Sequence, residues 1–322
     1  MSEFETTLDP LLEELDLEID GVQVTALGGG HGLAQALLAI QEYARVINAV
    51  VSVADDGGSS GRLAPALGIP PPGDTRRALV ALSPEDSLWR RMMELRFEEG
   101  DVAGHALGNL VLAAFAEMSG GLDEALHTVG RLMGSRGAVV PVAAERLTLE
   151  AVVDGREVSG QAAITRGRGP IEALRVRPEV PATRTATAAI EVADQIVIGP
   201  GSLYTSLAAV LVVPGIAAAI DRSEARLVYV ANLTTQDGET LGMDAADHVR
   251  ALLDRTGIRS PDVVIAHHGP LAVPGGLDPI RVDREALGLL GCRVEEADLA
   301  DPAAEWPQHD PARLGAVLRR LA

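Results

Sequence analysis

The sequence predicts an α/β fold with a mostly parallel sheet that has helices on both faces. Hydrophobic residues make up 47% of the 322-residue chain and aromatic residues only 2%, so the core must be aliphatic. Strands that are buried on both faces by helices have this composition. Two segments also read as a buried strand, a glycine-rich turn and a helix, one beginning at Val22 and one at Gln195.

The order of elements supports this class. Residues 1–20 read as an acidic leader, and residues 21–322 as one α/β domain. A strand from about residue 21, a helix over 33–43 and an apolar strand over 46–54 make a βαβ unit. Helix-strand alternation resumes near residue 185, with strands near 195, 227 and 262, and Asp310 followed by Pro311 predicts the start of a last helix.

Two interruptions are expected inside this domain. Residues from about 65 to 135 carry helical periodicity after the Pro70–Asp74 break, which predicts a helical insertion. Residues from about 145 to 180 alternate in hydrophobicity around Asp154-Gly155, a strong hairpin signal. We therefore expect a small antiparallel β piece in the middle of the chain.

The charge of the chain limits its partners. A net charge of −19 argues against general binding to nucleic acid or to anionic membranes, so any phosphate must be bound locally. The leader contains no Arg or Lys, and no run of about 18 apolar residues lacks charges, so we expect a cytoplasmic protein without membrane insertion. The single cysteine, Cys292, is interpreted as a buried small residue.

Both glycine-rich turns are candidate phosphate sites, because backbone N–H groups at a helix N-terminus bind anions. The first lacks the full dinucleotide fingerprint and the Lys of a P-loop, so a plain tight turn is the alternative. His31 either donates to a phosphate or caps the turn. The candidates are Gly28, Gly29, Gly30, His31 and Gly32 in the first turn and Gly199, Pro200, Gly201, Ser202 and Tyr204 in the second.

Acidic residues follow the second strand. Asp55 and Asp56, with Ser59 and Ser60 after them, fit a hard cation, sugar hydroxyls and a phosphate, or merely a solvated acidic turn. Asp74 either caps the next helix or points inward, where it would share one Mg²⁺ with Asp55.

Further polar candidates surround these turns. Arg76 would suit bidentate phosphate contact, and His105 and Asn109 lie four residues apart on one helix face. Asn232 directly follows a strand, and Thr235 and Gln236 belong to a loop too polar to be a mere connection. The sequence contains none of the usual nucleophile motifs, so a catalytic residue stays unassigned.

Six segments in this order resemble the YvcK family, within the superfamily of the phospholactate transferase CofD. The resemblance runs from about residue 22 to residue 320. It is carried by residues 26–33, 53–63, 71–74, 104–109, 199–206 and 232–242.

The resemblance implies a Rossmann-like domain that binds nucleotide-sugars such as UDP-N-acetylglucosamine (UDP-GlcNAc). It also implies a regulatory role in gluconeogenic growth, cell-wall precursor supply and cell shape. In the transferase branch, carboxylates at the places of Asp55 and Asp74 hold Mg²⁺, which makes a phospholactyl transferase acting on the deazaflavin Fo the alternative function. A dinucleotide-binding oxidoreductase is a third, suggested by the first βαβ unit alone.

Two departures from the family pattern matter. Gln308 stands where a basic residue often precedes His-Asp, which weakens a phosphate contact from that end. Apolar residues at 207–213 replace a familiar Pro-Asn pair, so the helix there is expected to start or pack differently. The segment Leu207–Ile220 is apolar enough for either the core or the interface of a homodimer.

Overall fold

Seven parallel strands form the central sheet of the computed structural model, which describes residues 21–322. The predicted leader, residues 1–20, lies outside the described residues. The sheet order is β10-β9-β8-β7-β1-β2-β3. These strands are β1 (Gln23–Gly28), β2 (Val46–Val51), β3 (Ala138–Pro141), β7 (Gln195–Ile198), β8 (Arg226–Val230), β9 (Val263–His267) and β10 (Arg293–Ala297).

The helices lie on both faces of this sheet, and nearly all strand residues in its centre are buried. Two helices, α1 (Gly30–Ile40) and α13 (Pro311–Arg320), approach closely at Gly315, where a Cβ would lie 2.7 Å from the Ala39 carbonyl oxygen. The helices of the main domain outside the insertion are α1 (Gly30–Ile40), α8 (Arg184–Glu191), α9 (Ala209–Leu211), α10 (Ile216–Arg222), α11 (Ala245–Thr256), α12 (Arg284–Leu289) and α13 (Pro311–Arg320).

The predicted helical insertion is present and begins earlier than expected. Its helices are α2 (Gly58–Leu67), α3 (Gly73–Leu82), α4 (Leu88–Glu94), α5 (Leu107–Ser119) and α6 (Leu122–Met133). The expected start near residue 65 is corrected to Gly58. The Gly-Ser-Ser-Gly run forms the first turn of α2, in which the Gly61 N–H donates to the Gly57 carbonyl over 2.9 Å. A Cβ on Gly61 would overlap the Asp56 carbonyl, so this turn requires glycine there.

The antiparallel piece is a separate three-stranded sheet in the order β5-β4-β6. Its elements are β4 (Thr148–Val153), β5 (Arg156–Ser159), α7 (Gln161–Gly167) and β6 (Ile171–Arg177). Asp154 and Gly155 both adopt positive φ angles, 49° and 69°, as a two-residue hairpin turn requires.

The apolar segment after residue 207 is core. A π-helical turn over Leu203–Ala208 leads into α9, and most side chains from there to Ile220 are buried. No single helix among residues 21–322 is long and apolar enough to cross a membrane. The pair Leu203–Leu211 and Ile216–Arg222 reaches that length and composition only when joined across a 68° bend.

Candidate functional site

A cleft of about 860 Å³ opens at the carboxyl ends of β1, β7 and β8. The chain runs outward from β1 through β2 to β3, and from β7 through β8 to β10 in the other direction, so β1 and β7 flank the switch point of the sheet. Open α/β sheets bind ligands at such a point. The cleft is lined by Gly29, Gly30, His31, Gly32, Gln35, Pro200, Gly201, Ser202, Ser206, Asn232, Leu233, Thr234, Thr235, Gln236, Asp237, Gly275, Leu277, Trp306, Pro307, Gln308 and His309.

The first glycine turn presents the N-terminus of α1 to this cleft. Gly29 is the N-cap, and the first turn of the helix carries no acidic residue. The first N–H groups of a helix have no partner within the helix. The Asp74 carboxylate lies close to this turn, since a Cβ on Gly29 would be 2.5 Å from Asp74 Oδ2. His31 and Gly32, also in the first turn, line the cleft, so their amides lie where an anion would meet them.

His31 lies in the first turn of α1 and lines the cleft. Burial, and then the positive charges of Arg77 and Arg76, lower the pKa of its imidazole below the usual value. A neutral imidazole can still donate one hydrogen bond to a phosphate oxygen.

The second glycine turn is held by the loop that follows β8. Asn232 Oδ1 accepts from the Gly201 N–H, and Asn232 Nδ2 donates to the Gly201 carbonyl, both over 2.8 Å. Gln236 Nε2 donates to Ser202 Oγ over 2.8 Å. Asn232 and Gln236, both predicted as ligand contacts, thus also fix the shape of the turn.

A residue that the prediction missed, Glu239, occupies the helix start after this second turn. Its carboxylate accepts from the Tyr204 N–H over 2.9 Å and from Thr205 Oγ1 over 2.5 Å. Burial raises the pKa of Glu239. Because the Glu239 carboxylate already accepts from these two donors, they are not available to a bound anion. The only signal in the sequence was an acid within the polar loop 234–240.

Four predicted residues, Thr235, Tyr204, Gly199 and Gly28, are buried at the two turns, and of these only Thr235 also lines the cleft. The Thr235 hydroxyl is buried and accepts from the Asp278 N–H over 2.9 Å. Tyr204 is buried in the π-helical turn. The amide of Gly199 donates to the Leu27 carbonyl, and Gly28 ends β1. These residues shape the two turns from beneath.

Asp74 packs against Gly29 and Asp55 packs against Gly73, and neither carboxylate lines the cleft. A Cβ on Gly29 would lie 2.5 Å from Asp74 Oδ2, and one on Gly73 would lie 2.7 Å from Asp55 Oδ2. Burial, and then the charge of Asp55, raise the pKa of Asp74 to about 6, although Arg77 opposes this shift with an ion pair of 2.6 Å. Asp74 points inward, and Pro72 is the N-cap of α3.

The chain matches models and relatives of known families over most of its length. The family model described as 2-phospho-L-lactate transferase CofD matches residues 24–300. The chain belongs to the CofD family.

Among its relatives, a Halalkalibacterium halodurans protein named "Gluconeogenesis factor" is 40% identical over 278 residues, which is 83% of this chain and 86% of that protein. A Thermotoga maritima protein named "Putative gluconeogenesis factor" is 42% identical over 94% of this chain and 99% of its own length. A crystal structure of a UPF0052 family member from Bacillus halodurans superposes with a TM-score of 0.89 at 36% identity, over 93% of this chain and 99% of that one. The predicted family and α/β fold are thereby confirmed.

In this CofD-family chain, Asp56 contacts the small antiparallel sheet. Its Oδ1 accepts from the Ala162 N–H over 3.3 Å, at the start of α7. A Cβ on Gly160 would overlap Asp56 Oδ2. Asp56 therefore ties the loop after β2 to the sheet β5-β4-β6, and its role in ligand contact stays a prediction.

Four predicted residues form one buried network within the insertion. Ser59 Oγ lies 3.0 Å from His105 Nδ1 and accepts from Asn109 Nδ2 over 3.0 Å. Arg76 Nε donates to Asn109 Oδ1 over 3.0 Å and its guanidinium also reaches the Met93 carbonyl. Ser60 Oγ packs against Gly73, beside Asp55. The structure thus places Arg76 inside the helical cluster, and the guanidinium beside Asp74 belongs to Arg77.

The cleft wall also includes residues that were not predicted. Trp306, Leu277 and His309 come from the segments after β9 and β10. Trp306 is 61% exposed, whereas His309 is buried and burial lowers its pKa to about 4. The sequence offered one signal for this wall, because Trp306, one of only two tryptophans, lies two residues before Gln308.

Proposed function

We propose that the protein is a regulator that binds a nucleotide-sugar of the UDP-GlcNAc type in this cleft. The observation that carries the proposal is the meeting of the two glycine turns at one cleft, at the switch point of the sheet. The N-terminus of α1 receives the diphosphate, and a volume of about 860 Å³ suits a ligand larger than a phosphate. The gluconeogenesis-factor relatives support a role in gluconeogenic growth. Roles in cell-wall precursor supply and cell shape belong to the same proposal.

Because the chain has a net negative charge, a small anionic ligand must be bound by donors within the cleft. The chain carries a net charge of −19, and the Arg77 guanidinium near the first turn is paired with Asp74. A diphosphate in the cleft therefore depends on the amides at the N-terminus of α1 rather than on a positively charged surface.

The test is isothermal titration calorimetry of the protein with UDP-GlcNAc, with and without Mg²⁺. We expect saturable binding in the wild type and loss of binding in Gly201→Asp, because a carboxylate then sits in the turn and the backbone φ of +151° disfavours any side chain. Gly288→Ala, on the exposed helix α12, is the matched control and should bind normally. Absence of binding to the wild type under both conditions would refute the proposal.

A second candidate is a Mg²⁺-dependent transferase of a phosphorus-containing group, favoured by the closeness of Asp55 to Asp74. Carboxylate oxygens are suitable Mg²⁺ ligands, and these two could hold the ion. Among residues 21–322 no group of three His, Cys, Asp or Glu side chains could hold a metal, so ligand phosphate and water would complete the shell. When bound, Mg²⁺ would neutralise phosphate charge.

The two candidate functions predict different results for phospholactyl transfer by the wild type and for the Asp55→Ala variant. Asp55→Ala should abolish phospholactyl transfer to Fo if the second candidate is correct. If the first is correct, the same variant keeps its binding of UDP-GlcNAc in the absence of Mg²⁺, and the wild type shows no transfer.

A further inference from the structure

Trp306 presents an exposed aromatic surface in the wall of the cleft. Trp306, one of the two tryptophans in the chain, is 61% exposed. It lines the same cleft as the first glycine turn. The other, Trp89, is partly buried against the core in α4 of the helical insertion. An exposed indole in a concave site has a large apolar surface to cover.

The loop that carries Trp306 is anchored at both ends. The Asp310 N–H donates to the Leu299 carbonyl over 2.8 Å, and the Asp301 N–H donates to the Gln308 carbonyl over 3.0 Å. His309, three residues beyond Trp306, is 4% exposed and fixes the segment to the domain. The indole is therefore presented by a short, tethered loop, which lowers the entropy lost when a ligand packs on it.

We infer that Trp306 is the platform on which the nucleobase of the ligand stacks. This inference rests on the proposed function and deepens it. The same cleft is lined by the first turn of α1, whose amides suit a diphosphate, and by the indole of Trp306 together with Leu277 and Pro307. A ligand with an anionic centre and a planar base matches both features.

This placement also orients the ligand. Asp55 and Asp74 do not line the cleft. With the base on Trp306 and the diphosphate at the first turn, the sugar half therefore lies within the cleft and does not contact these carboxylates.

The experiment uses the full chain carrying Trp89→Phe, so that Trp306 is the only source of indole fluorescence. Titration with UDP should quench this fluorescence, while pyrophosphate, whose binding is measured by calorimetry, should not. Trp306→Ala should weaken UDP binding by about 10-fold to 100-fold and leave pyrophosphate binding unchanged. Trp306→Phe should keep most of the affinity, because it retains a ring.

The possible results test the role of Trp306 and the proposed function separately. Equal UDP affinity of Trp306→Ala and the wild type would overturn the inference but not the proposed function. Binding of pyrophosphate without binding of any nucleotide would also overturn it, and a wild type that binds neither UDP-GlcNAc nor UDP would overturn both. Because Trp306 is exposed, thermal unfolding of its variants should match the wild type.

Discussion

Gly32 lies directly against the carbonyl of Pro200. A Cβ on Gly32 would overlap the Pro200 oxygen and would come within 2.9 Å of Gly201 Cα. The first turn of α1 and the turn after β7 therefore pack backbone to backbone. The two glycine-rich motifs, 168 residues apart in sequence, form one structural unit at the floor of the cleft.

This contact predicts that Gly32→Ala is strongly destabilising. The added methyl group has only backbone to push against, so the two turns must separate, at a cost of about 3 kcal/mol in the free energy of unfolding. Urea denaturation of the variant measures this loss. Gly288→Ala is the control, because a Cβ there meets open space in α12, and it should be neutral or stabilising by up to about 1 kcal/mol. Equal midpoints for the two variants would contradict the packing described here.

Local signals in the sequence account for most of the fold. The strand-turn-helix pattern located β1 and α1, and Asp154-Gly155 located the hairpin between β4 and β5. Asp310 caps α13 as predicted, accepting from the Ala312 and Arg313 amides. Each of these features depends on neighbours within a few residues, which periodicity and turn chemistry can reveal.

The site was less predictable because its contacts join distant segments. Asp56 meets Ala162, 106 residues later, and Glu239 meets Tyr204, 35 residues earlier. Nothing local distinguishes Arg76, which turns into the helical insertion, from Arg77, which pairs with Asp74. Which of two adjacent guanidinium groups faces a site is decided by tertiary packing.

Because Asn232 makes two hydrogen bonds to Gly201, we predict that substitution of Asn232 weakens both stability and ligand binding. Asn232→Asp keeps an oxygen for the Gly201 N–H but brings a carboxylate oxygen against the Gly201 carbonyl, whereas Asn232→Ala removes both bonds. We expect a loss of about 1 to 3 kcal/mol in unfolding free energy for each, and at least 10-fold weaker UDP-GlcNAc binding. Calorimetry and urea denaturation measure the two effects. Wild-type affinity in Asn232→Ala would show that the shape of the second turn does not matter for the ligand.

The buried pair of Tyr229 and His248 predicts sensitivity to acid. Tyr229 Oη lies 3.0 Å from His248 Nδ1, both side chains are fully buried, and burial lowers the pKa of His248 to about 4. Between pH about 6.5 and 4, the His248 imidazole is protonated in the unfolded chain but stays neutral in the native state. Stability is therefore complete above pH 6.5 and falls as the pH drops through this window, by up to about 3 kcal/mol.

His248→Gln removes this titration and leaves an amide that can still bond the Tyr229 hydroxyl. The difference in unfolding free energy between the wild type and the variant should shrink as the pH falls from 7 to 4, measured by urea denaturation at a series of pH values. Parallel curves over that range would show that His248 titrates as freely in the native state as in the unfolded chain.

We predict that the charge of the side chain at position 308 changes the affinity of the cleft for UDP-GlcNAc. Gln308 is exposed, lines the cleft, and lies between Trp306 and the base of its loop. Gln308→Arg should tighten UDP-GlcNAc binding by about 5-fold to 10-fold, because a guanidinium at this wall attracts the diphosphate and can form paired hydrogen bonds with it. Gln308→Glu, similar in size and opposite in charge, should weaken binding by a similar factor. Calorimetry at about 50 and 500 mM salt separates charge from shape, since added salt must reduce both effects. If both variants bind like the wild type at low salt, the diphosphate lies beyond the reach of this wall, and only the first glycine turn contacts it.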